Sequence, residues 1–231
     1  LLMLHPNPSG GGMMDSHIYK KAANRLPAMA GIQIIRFNTR GTESESGKSD
    51  GEFDQGRSEK LDVLAAIDYC FDQLKVKDLY VVGWSFGTEL ALKYAHDARI
   101  KELILLSPPL IATSDEDLAF WAKDGRPITA LVPEHDDYLK PDVARVRFSK
   151  VPNVKEIDVA GADVAMYSLL KFQLPLPPND PVPESVSVPD ERLIVPLPVT
   201  SPPPTTILPP PEMVPYGYRS PLTVVVDISD I

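Results

Sequence analysis

The residues best suited to chemistry in this sequence are a serine and the two glycines that flank it. Gly83, Ser85 and Gly87 form the pattern Gly-x-Ser-x-Gly, directly after the apolar run 79–82 and directly before a helix-forming segment. A serine at so sharp a strand-to-helix turn takes a strained backbone conformation, and only glycine leaves room two positions away. The pattern predicts a serine nucleophile presented on a turn. An accidental glycine-rich turn is the competing interpretation.

Further residues of this kind stand where two other apolar runs end. The run 1–4 leads into the Pro- and Gly-rich segment 5–12, and the run 128–132 leads into the acidic segment 133–138. At the carboxyl end of a strand, a Gly-rich loop lines the ligand crevice and can present backbone N–H groups to an oxyanion. A carboxylate just past a buried strand stands where a catalytic acid is expected. For the first loop, a flexible turn with an accidental histidine is the alternative.

The elements that position these residues follow from hydrophobic patterning. Short apolar runs predict strands over 1–4, 32–37, 79–82, 102–106, 128–132 and 154–159. Helix-forming segments predict helices over 15–30, 58–74, 88–95, 115–123 and 141–149. Because strands and helices alternate, we predict an α/β fold with a doubly wound, mostly parallel sheet and helices on both faces.

Three further segments carry specific expectations. The helix from residue 58 is predicted to bury one apolar face, made of Leu64, Ile67, Phe71 and Leu74. The polar segment 38–57 is predicted to be a long loop, and loops of that length are usually functional or disordered. The segment 224–226 reads as a strand, but the sequence offers it no pairing partner.

Proline divides the chain into two parts. The length of 231 residues suits one sizeable domain, and sixteen of the 25 prolines follow residue 170. We therefore predict a globular domain over 1–165 and a Pro-rich, low-complexity, disordered tail over 166–231. The spacing of Pro175, Pro178 and Pro181 is one that an SH3-type groove binds as polyproline II. We favour a linker or a translation artefact for this tract.

Charge and cysteine content limit the classes of binding partner and the cellular compartment that we expect. A net charge of −9 without a basic run argues against nucleic acid and anionic membrane as partners. No segment approaches the roughly 18 apolar residues of a membrane span. Cys70 is the single cysteine, so core packing in a reducing compartment, the cytoplasm, is expected. No motif indicates a cofactor or a metal, and we expect neither. The start at Leu1 inside a predicted strand suggests that the true N-terminus lies upstream.

Taken together, these residues resemble the α/β-hydrolase superfamily, and within it the small, lidless, dienelactone-hydrolase-like group of esterases. The resembling segments are 5–8, 36–41, 51–56, 83–87 and 134–141. They stand in the family's order and cover residues 1 to about 162. The resemblance implies an α/β-hydrolase fold without a lid, and one that is N-terminally truncated, as if the chain began at the family's third strand.

The resemblance also assigns roles. Ser85 matches the nucleophile, and Asp136 matches the acid that orients a histidine. Asp136 is preferred to Asp137 because it stands five residues before Pro141, as in the family's pattern. Such a serine attacks the carbonyl of a small-molecule acyl substrate, and water then releases the acyl-enzyme.

Two backbone amides complete the implied site. The N–H of Phe86, the residue after the nucleophile, and the N–H of Asn7 in the loop 5–9 match the oxyanion donors. Aromatic residues near these positions suit an apolar acyl site or, equally well, the core. They are Trp84, Phe86, Phe120 and Trp121.

The family's catalytic histidine has no counterpart in the sequence. The family's order is Ser, Asp, His, and Val164 stands where the histidine is expected, with no histidine after His135. The four histidines present have structural explanations: His5 in the oxyanion loop, His17 and His96 on solvent-facing helices, and His135 beside Asp136. Loss of a triad base typically costs on the order of 10⁴ to 10⁶ in rate, so we expect impaired activity.

Two classes of function therefore stay open. The first is a serine hydrolase of ester or related acyl substrates. The second is a non-catalytic hydrolase-fold protein, either a pseudoenzyme or an aberrant gene product, that binds ligands or partners. A frameshift or misread splice junction near Asp163 would explain both the absent histidine and the Pro-rich tail.

Overall fold

Apolar runs become the strands of one parallel sheet in the computed structural model, which describes residues 1–45, 47–161 and 223–225. The strands of these residues are β1 (Leu2–Leu4), β2 (Ile34–Arg36), β3 (Glu43–Ser44), β4 (Gly47–Lys48), β5 (Leu79–Trp84), β6 (Ile100–Leu106), β7 (Ile128–Pro133), β8 (Val154–Val159) and β9 (Thr223–Val225). Seven form the sheet in the order β8-β7-β6-β5-β1-β2-β9, with every neighbouring pair parallel. β3 and β4 form a separate antiparallel hairpin. The predicted fold class is confirmed.

Helices connect the strands of the sheet. Within the described residues they are α1 (His17–Ala30), α2 (Glu59–Asp68), α3 (Phe86–Tyr94), α4 (Asp115–Asp124) and α5 (Pro141–Phe148). α1 ends at Gly31, whose φ of 64° is the left-handed conformation that closes a helix at low cost for glycine. α4 begins with a capping box between Ser114 and Asp117. Local signals of this kind are why the predicted helices over 15–30, 115–123 and 141–149 agree with the structure.

The face that α2 and the following turn bury agrees with the predicted one at three of four residues. Ile67 is buried, and Phe71 and Leu74 are partly buried against the core, whereas Leu64 is 37% exposed. The smaller Ala66 and Cys70 are buried as well. The prediction was therefore wrong for Leu64, because it selected the larger apolar residues and left out the small ones.

β9 extends the sheet beyond β2. Residues Thr223–Val225 pair in parallel with Ile34–Arg36. The expectation that the apolar segment near residue 224 has no partner was therefore wrong. The partner strand is almost two hundred residues away in the chain, so no local pattern could indicate it.

The rest of the predicted tail, including the boundary at residue 165 and the proline motifs, lies outside the described residues and stays a prediction. No helix among residues 1–45 and 47–161 is long and apolar enough to cross a bilayer.

Candidate active site

Ser85 forms the sharp turn between β5 and α3. Its φ of 51° and ψ of −115° are a left-handed conformation that costs a non-glycine residue about 1–3 kcal/mol. A Cβ atom at Gly83 would lie 2.5 Å from the carbonyl oxygen of Gly87, and one at Gly87 would lie 1.9 Å from that of Leu4. Real Cβ atoms do not approach oxygen so closely, so only glycine fits at either position.

Hydrogen bonds fix the turn on both sides. The Ser85 N–H donates to the carbonyl oxygen of Leu106 at 2.8 Å, which ties the turn to the neighbouring strand β6. Both the backbone N–H of Thr88, at 2.9 Å, and its hydroxyl, at 2.6 Å, donate to the carbonyl oxygen of Ser85. The strained conformation is thereby held by its surroundings.

The close packing of α3 on β1 sets the loop after β1 beside the start of α3. Asn7 and Ser9 of this loop line the same cavity as Ser85 and Phe86. The Asn7 Oδ1 atom accepts from the Ser9 N–H at 2.9 Å, which caps a short 3₁₀ turn. Phe86 is the first residue of α3, where a backbone N–H has no acceptor one turn earlier. The two residues predicted to hold an oxyanion therefore border one cavity.

Asp136 lies in a tight turn after β7. It is 2% exposed, and its Oδ1 atom accepts from the backbone N–H groups of Tyr138, at 2.8 Å, and Leu139, at 3.3 Å. Its neighbour Asp137 is exposed. Of the two carboxylates weighed from the sequence, Asp136 is thus the one that the fold buries and orients.

Ser85 and Asp136 follow strands of one parallel sheet at the same edge. β6 pairs with β5 on one side and with β7 on the other. Ser85 is the residue after the carboxyl end of β5, and Asp136 stands three residues after the carboxyl end of β7. The carboxyl ends of parallel strands share one edge, where open α/β sheets bind ligands. The topology therefore brings the predicted nucleophile and acid to one rim, with one strand between them.

A cavity of about 380 Å³ opens at Ser85. Six of its described lining residues are apolar or aromatic: Phe53, Phe86, Pro109, Ile111, Ala112 and Tyr138. The polar lining residues are Asn7, Ser9, Gln55, Ser85 and Glu89. Such a mostly apolar lining with a few polar groups is typical of a small-molecule site. Of the four aromatic residues weighed for an acyl site, Phe86 lines this cavity, whereas Trp121 is fully buried in the core.

A carboxylate of α2, that of Glu59, holds the end of the long loop 38–57 beside the cavity. Glu59 is fully buried, and its two oxygens accept from the backbone N–H groups of Asp54, at 2.6 Å, and Gly56, at 2.7 Å. The Tyr94 hydroxyl donates to the carbonyl oxygen of Gly56 at 2.7 Å. The loop is therefore ordered at its far end and supplies Phe53 to the cavity.

The opposite side of the cavity is the segment 107–113 after β6, which we term the wall loop. Glu89 of α3 accepts from the Ile111 N–H at 2.7 Å and from the Thr113 hydroxyl at 2.6 Å. Arg147 of α5 donates to the carbonyl oxygens of Leu110, at 3.3 Å, and Thr113, at 3.0 Å. A buried carboxylate and a guanidinium thus hold the wall loop from two sides.

Backbone strain concentrates around the same cavity. Five non-glycine residues of the described chain have a positive φ between 45° and 54°, and one of them, Lys75, lies outside this region. Gln55 and Ser85 line the cavity, while Ser107 and Leu110 lie in the wall loop. Strained residues persist where surrounding contacts determine them, and they cluster at functional sites.

His5 is part of the scaffold. It is 1% exposed, its Nδ1 atom lies 2.7 Å from the carbonyl oxygen of Pro6, and its Nε2 atom accepts from the Thr39 N–H at 3.0 Å. Because an amide N–H can only donate, the ring proton is on Nδ1 and points at Pro6. Burial lowers the pKa of His5 to about 4. A neutral ring with both nitrogens occupied fixes the start of the loop.

None of the other histidines hydrogen-bonds to Ser85 or Asp136 in the described structure. His17 and His135 are exposed. His96 was expected on a solvent-facing helix, but it follows the end of α3, is half-buried and stacks on Phe120 with ring centroids 3.8 Å apart. Its Nε2 atom lies 3.0 Å from the carbonyl oxygen of Leu92. Val164, where the family's histidine is expected, lies outside the described residues.

Sequence reasoning missed Glu59 and Glu89, the two carboxylates that hold the loops of the cavity. Each stands in the first or second turn of a helix, and Glu89 is the one charged residue in the buried run 87–92. A carboxylate on the buried face of a helix was the available signal, because such a group needs hydrogen-bond donors.

Cys70 is a buried residue of the core and not part of the candidate site. Burial raises the pKa of the free Cys70 thiol to about 12, which disfavours the reactive thiolate. No group of three or more His, Cys, Asp or Glu side chains able to hold a metal ion occurs within the described residues.

A family model described as alpha/beta hydrolase fold matches residues 1–141. The chain therefore belongs to the α/β-hydrolase family, as the sequence predicts. An uncharacterised protein of Rickettsia prowazekii, RP471, is 27% identical over 154 residues, which are 66% of this chain and 63% of that protein. The chain thus spans less than two thirds of the length of this relative.

Solved structures share the fold. An alpha-beta serine hydrolase homologue from Coxiella burnetii aligns with a TM-score of 0.62 at 24% identity, over 72% of this chain and 77% of that one. XC6422 from Xanthomonas campestris, a serine hydrolase without a lid, aligns with a TM-score of 0.58 at 22% identity, over 72% and 73% of the two chains. The Pyrococcus furiosus esterase Pf2001 aligns with a TM-score of 0.56 at 19% identity, over 70% and 73%. The predicted likeness to small lidless hydrolases is thus confirmed for the fold.

Proposed function

We propose that this chain is a serine hydrolase that cleaves ester or related acyl substrates through an acyl-enzyme on Ser85. The observation that carries the proposal is the left-handed backbone of Ser85, held at the carboxyl edge of the sheet and on the border of a cavity. Strained residues cluster at active sites, where the strain helps to present a reactive group. The family and its serine hydrolase and esterase fold neighbours support the same reaction class.

In the proposed reaction, the Ser85 Oγ atom attacks the acyl carbonyl carbon and gives up its proton to a water molecule, because no histidine of the chain hydrogen-bonds to Ser85. The N–H groups of Phe86 and Asn7 stabilise the oxyanion that forms. Collapse of this intermediate breaks the bond to the leaving alcohol, which takes the proton. Water then attacks the acyl-enzyme and releases the acid.

We propose that Asp136 is the counterpart of the carboxylate that orients the base in the related enzymes. Its burial and its two backbone donors fix the carboxylate on the rim that Ser85 occupies. The base of the related enzymes is a histidine, and the position at which this chain would carry it is Val164. Hydrolysis is accordingly proposed to be slow, at the level that oxyanion stabilisation and binding support without a base.

One observation favours a second candidate function, a ligand-binding hydrolase-fold protein without turnover. All four histidines of the chain are described, and none hydrogen-bonds to Ser85 or Asp136. A cavity with an intact wall and no base would bind acyl compounds and release them unchanged.

Active-site labelling separates the two candidates. The chain is incubated with a fluorophosphonate, and covalent addition is followed by intact-protein mass spectrometry, with Ser85→Ala as the matched control. A hydrolase gains one phosphonyl group on Ser85, and the control gains none. A folded protein that stays unlabelled after prolonged incubation contradicts the hydrolase and supports the binding function.

A further inference from the structure

We propose that the cavity at Ser85 accepts uncharged acyl groups and rejects anionic ones, with Glu89 as the residue that determines this preference. The inference rests on the proposed function and adds a substrate class to it. It follows from the charge of the cavity wall.

Glu89 is the charged residue of the wall. Among the described lining residues it is the only ionisable acid or base with a full charge at neutral pH, since no lysine, arginine or histidine lines the cavity. It is 4% exposed, and each of its oxygens accepts one hydrogen bond, from Ile111 and from Thr113. A glutamate side chain ordinarily carries a negative charge at neutral pH. The described lining of the cavity therefore holds one negative charge and no cation.

The negative charge stands close to the acyl group. Ser85 caps α3, Glu89 follows it by four residues, and both line the same cavity. An acyl chain on Ser85 extends into this cavity. Because the cavity holds only about 380 Å³, a second carboxylate placed in it would lie within about 10 Å of a like charge. In a partly buried site such repulsion weakens binding about ten-fold or more.

Two cations approach the wall loop, but neither belongs to the described lining of the cavity. Arg147 donates to the carbonyl oxygens of Leu110 and Thr113, and Lys93 donates to that of Ala112 at 3.4 Å. Both side chains stabilise carbonyl groups of the loop. The charged side chain that an anionic ligand meets in the described lining is therefore Glu89.

Binding is measured on Ser85→Ala, so that the result does not depend on turnover. The probes are methyl glutaramate, which ends in an uncharged amide, and monomethyl glutarate, in which a carboxylate replaces that amide. Saturation-transfer difference NMR titrations give the dissociation constant of each ester. We expect the uncharged ester to bind about ten-fold more tightly or better.

Two further variants, made in the Ser85→Ala protein, test the role of Glu89. Glu89→Gln keeps the shape, and its amide can still accept from Ile111 and bond to Thr113, so the ratio should fall to within about two-fold. Glu102→Gln is the matched control. Glu102 is also buried and accepts from a threonine hydroxyl, that of Thr129, but it does not line the cavity. The control should keep the ratio of the parent.

Ile111→Lys provides a second variant that places a cation on the wall. Ile111 is 73% exposed, so the fold tolerates this change even if Glu89→Gln does not fold. The preference for the uncharged ester should disappear or reverse. Equal binding of the two esters by Ser85→Ala overturns the proposal. It is also overturned if neither Glu89→Gln nor Ile111→Lys changes the ratio of the two dissociation constants, or if neither ester shows saturable binding. Selective binding by a protein that fluorophosphonates do not label contradicts only the proposed hydrolysis.

Discussion

The Cα atom of Gly87 packs so tightly against β1 that a methyl group on it would lie 1.9 Å from the carbonyl oxygen of Leu4. The turn at Ser85 and the loop that carries Asn7 therefore meet at one close contact between backbones. Any side chain at position 87 must push β1 away from α3. The same contact controls the stability of the sheet and the shape of the candidate oxyanion site.

Gly87→Ala is expected to lower the free energy of unfolding by about 3 kcal/mol or more, since overpacking of a rigid backbone contact is costly. Urea denaturation followed by circular dichroism measures the loss. The control is Gly10→Ala, because a Cβ atom at Gly10 meets no atom within 4 Å and its φ is negative or extended. This control should change stability by less than about 1 kcal/mol. A Gly87→Ala variant as stable as the control would show that the backbones can separate freely.

The fold was largely predictable from local patterns. Apolar runs predicted β1, β2 and β5 to β8 of the sheet, and glycine or serine signals such as Gly31 and Ser114 marked where helices end or begin. The exposure of Leu64 was not predictable in this way, because the smaller Ala66 and Cys70 share the buried face with Ile67. The pairing of β9 also escaped prediction, because its partner is remote in sequence.

The candidate site also contains features that local sequence predicts and features that depend on remote contacts. The turn at Ser85 was predictable from the spacing of Gly83 and Gly87, because its strain depends on residues that are close in the sequence. The contacts of Glu89 with the wall loop join residues 22 and 24 positions apart, so the sequence shows a carboxylate among apolar neighbours but not the donors that it meets. His96 was misjudged for the same reason, because the ring of Phe120 that covers it comes from another helix. Tertiary contacts decide these positions.

Ser85→Gly is expected to be more stable than Ser85→Ala, although both remove the hydroxyl. Glycine adopts a φ of 51° without penalty, whereas alanine keeps the strain of about 1–3 kcal/mol. Glycine also loses more backbone entropy on folding, which reduces the expected difference to about 1 kcal/mol. Thermal or urea unfolding of the two variants measures it. A Ser85→Gly variant that is less stable than Ser85→Ala would mean that the turn stores no strain.

Asp136→Ala is expected to destabilise the turn after β7, because the N–H groups of Tyr138 and Leu139 lose their acceptor. The cost should be about 1–3 kcal/mol in unfolding free energy. Asp136→Asn keeps an Oδ1 acceptor and should cost less than half as much. The exposed Asp137→Asn serves as the control and should be neutral within about 0.5 kcal/mol. Equal losses for the asparagine and alanine variants would assign the effect to charge and not to the hydrogen bonds.

His5 makes the stability of the fold depend on pH. Burial lowers its pKa from 6.5 to about 4, so between these values the unfolded chain binds a proton that the folded protein does not. Its contribution is therefore complete above pH 6.5 and decreases as the pH falls towards 4, by about 3 kcal/mol in total. Because carboxylates titrate in the same range, the quantity to measure is the difference in unfolding free energy between the wild type and His5→Gln. This difference should shrink by most of that amount from pH 7 to pH 4. A difference that stays constant would mean that His5 is protonated as readily in the fold as in the unfolded chain, against its hydrogen bond from Thr39.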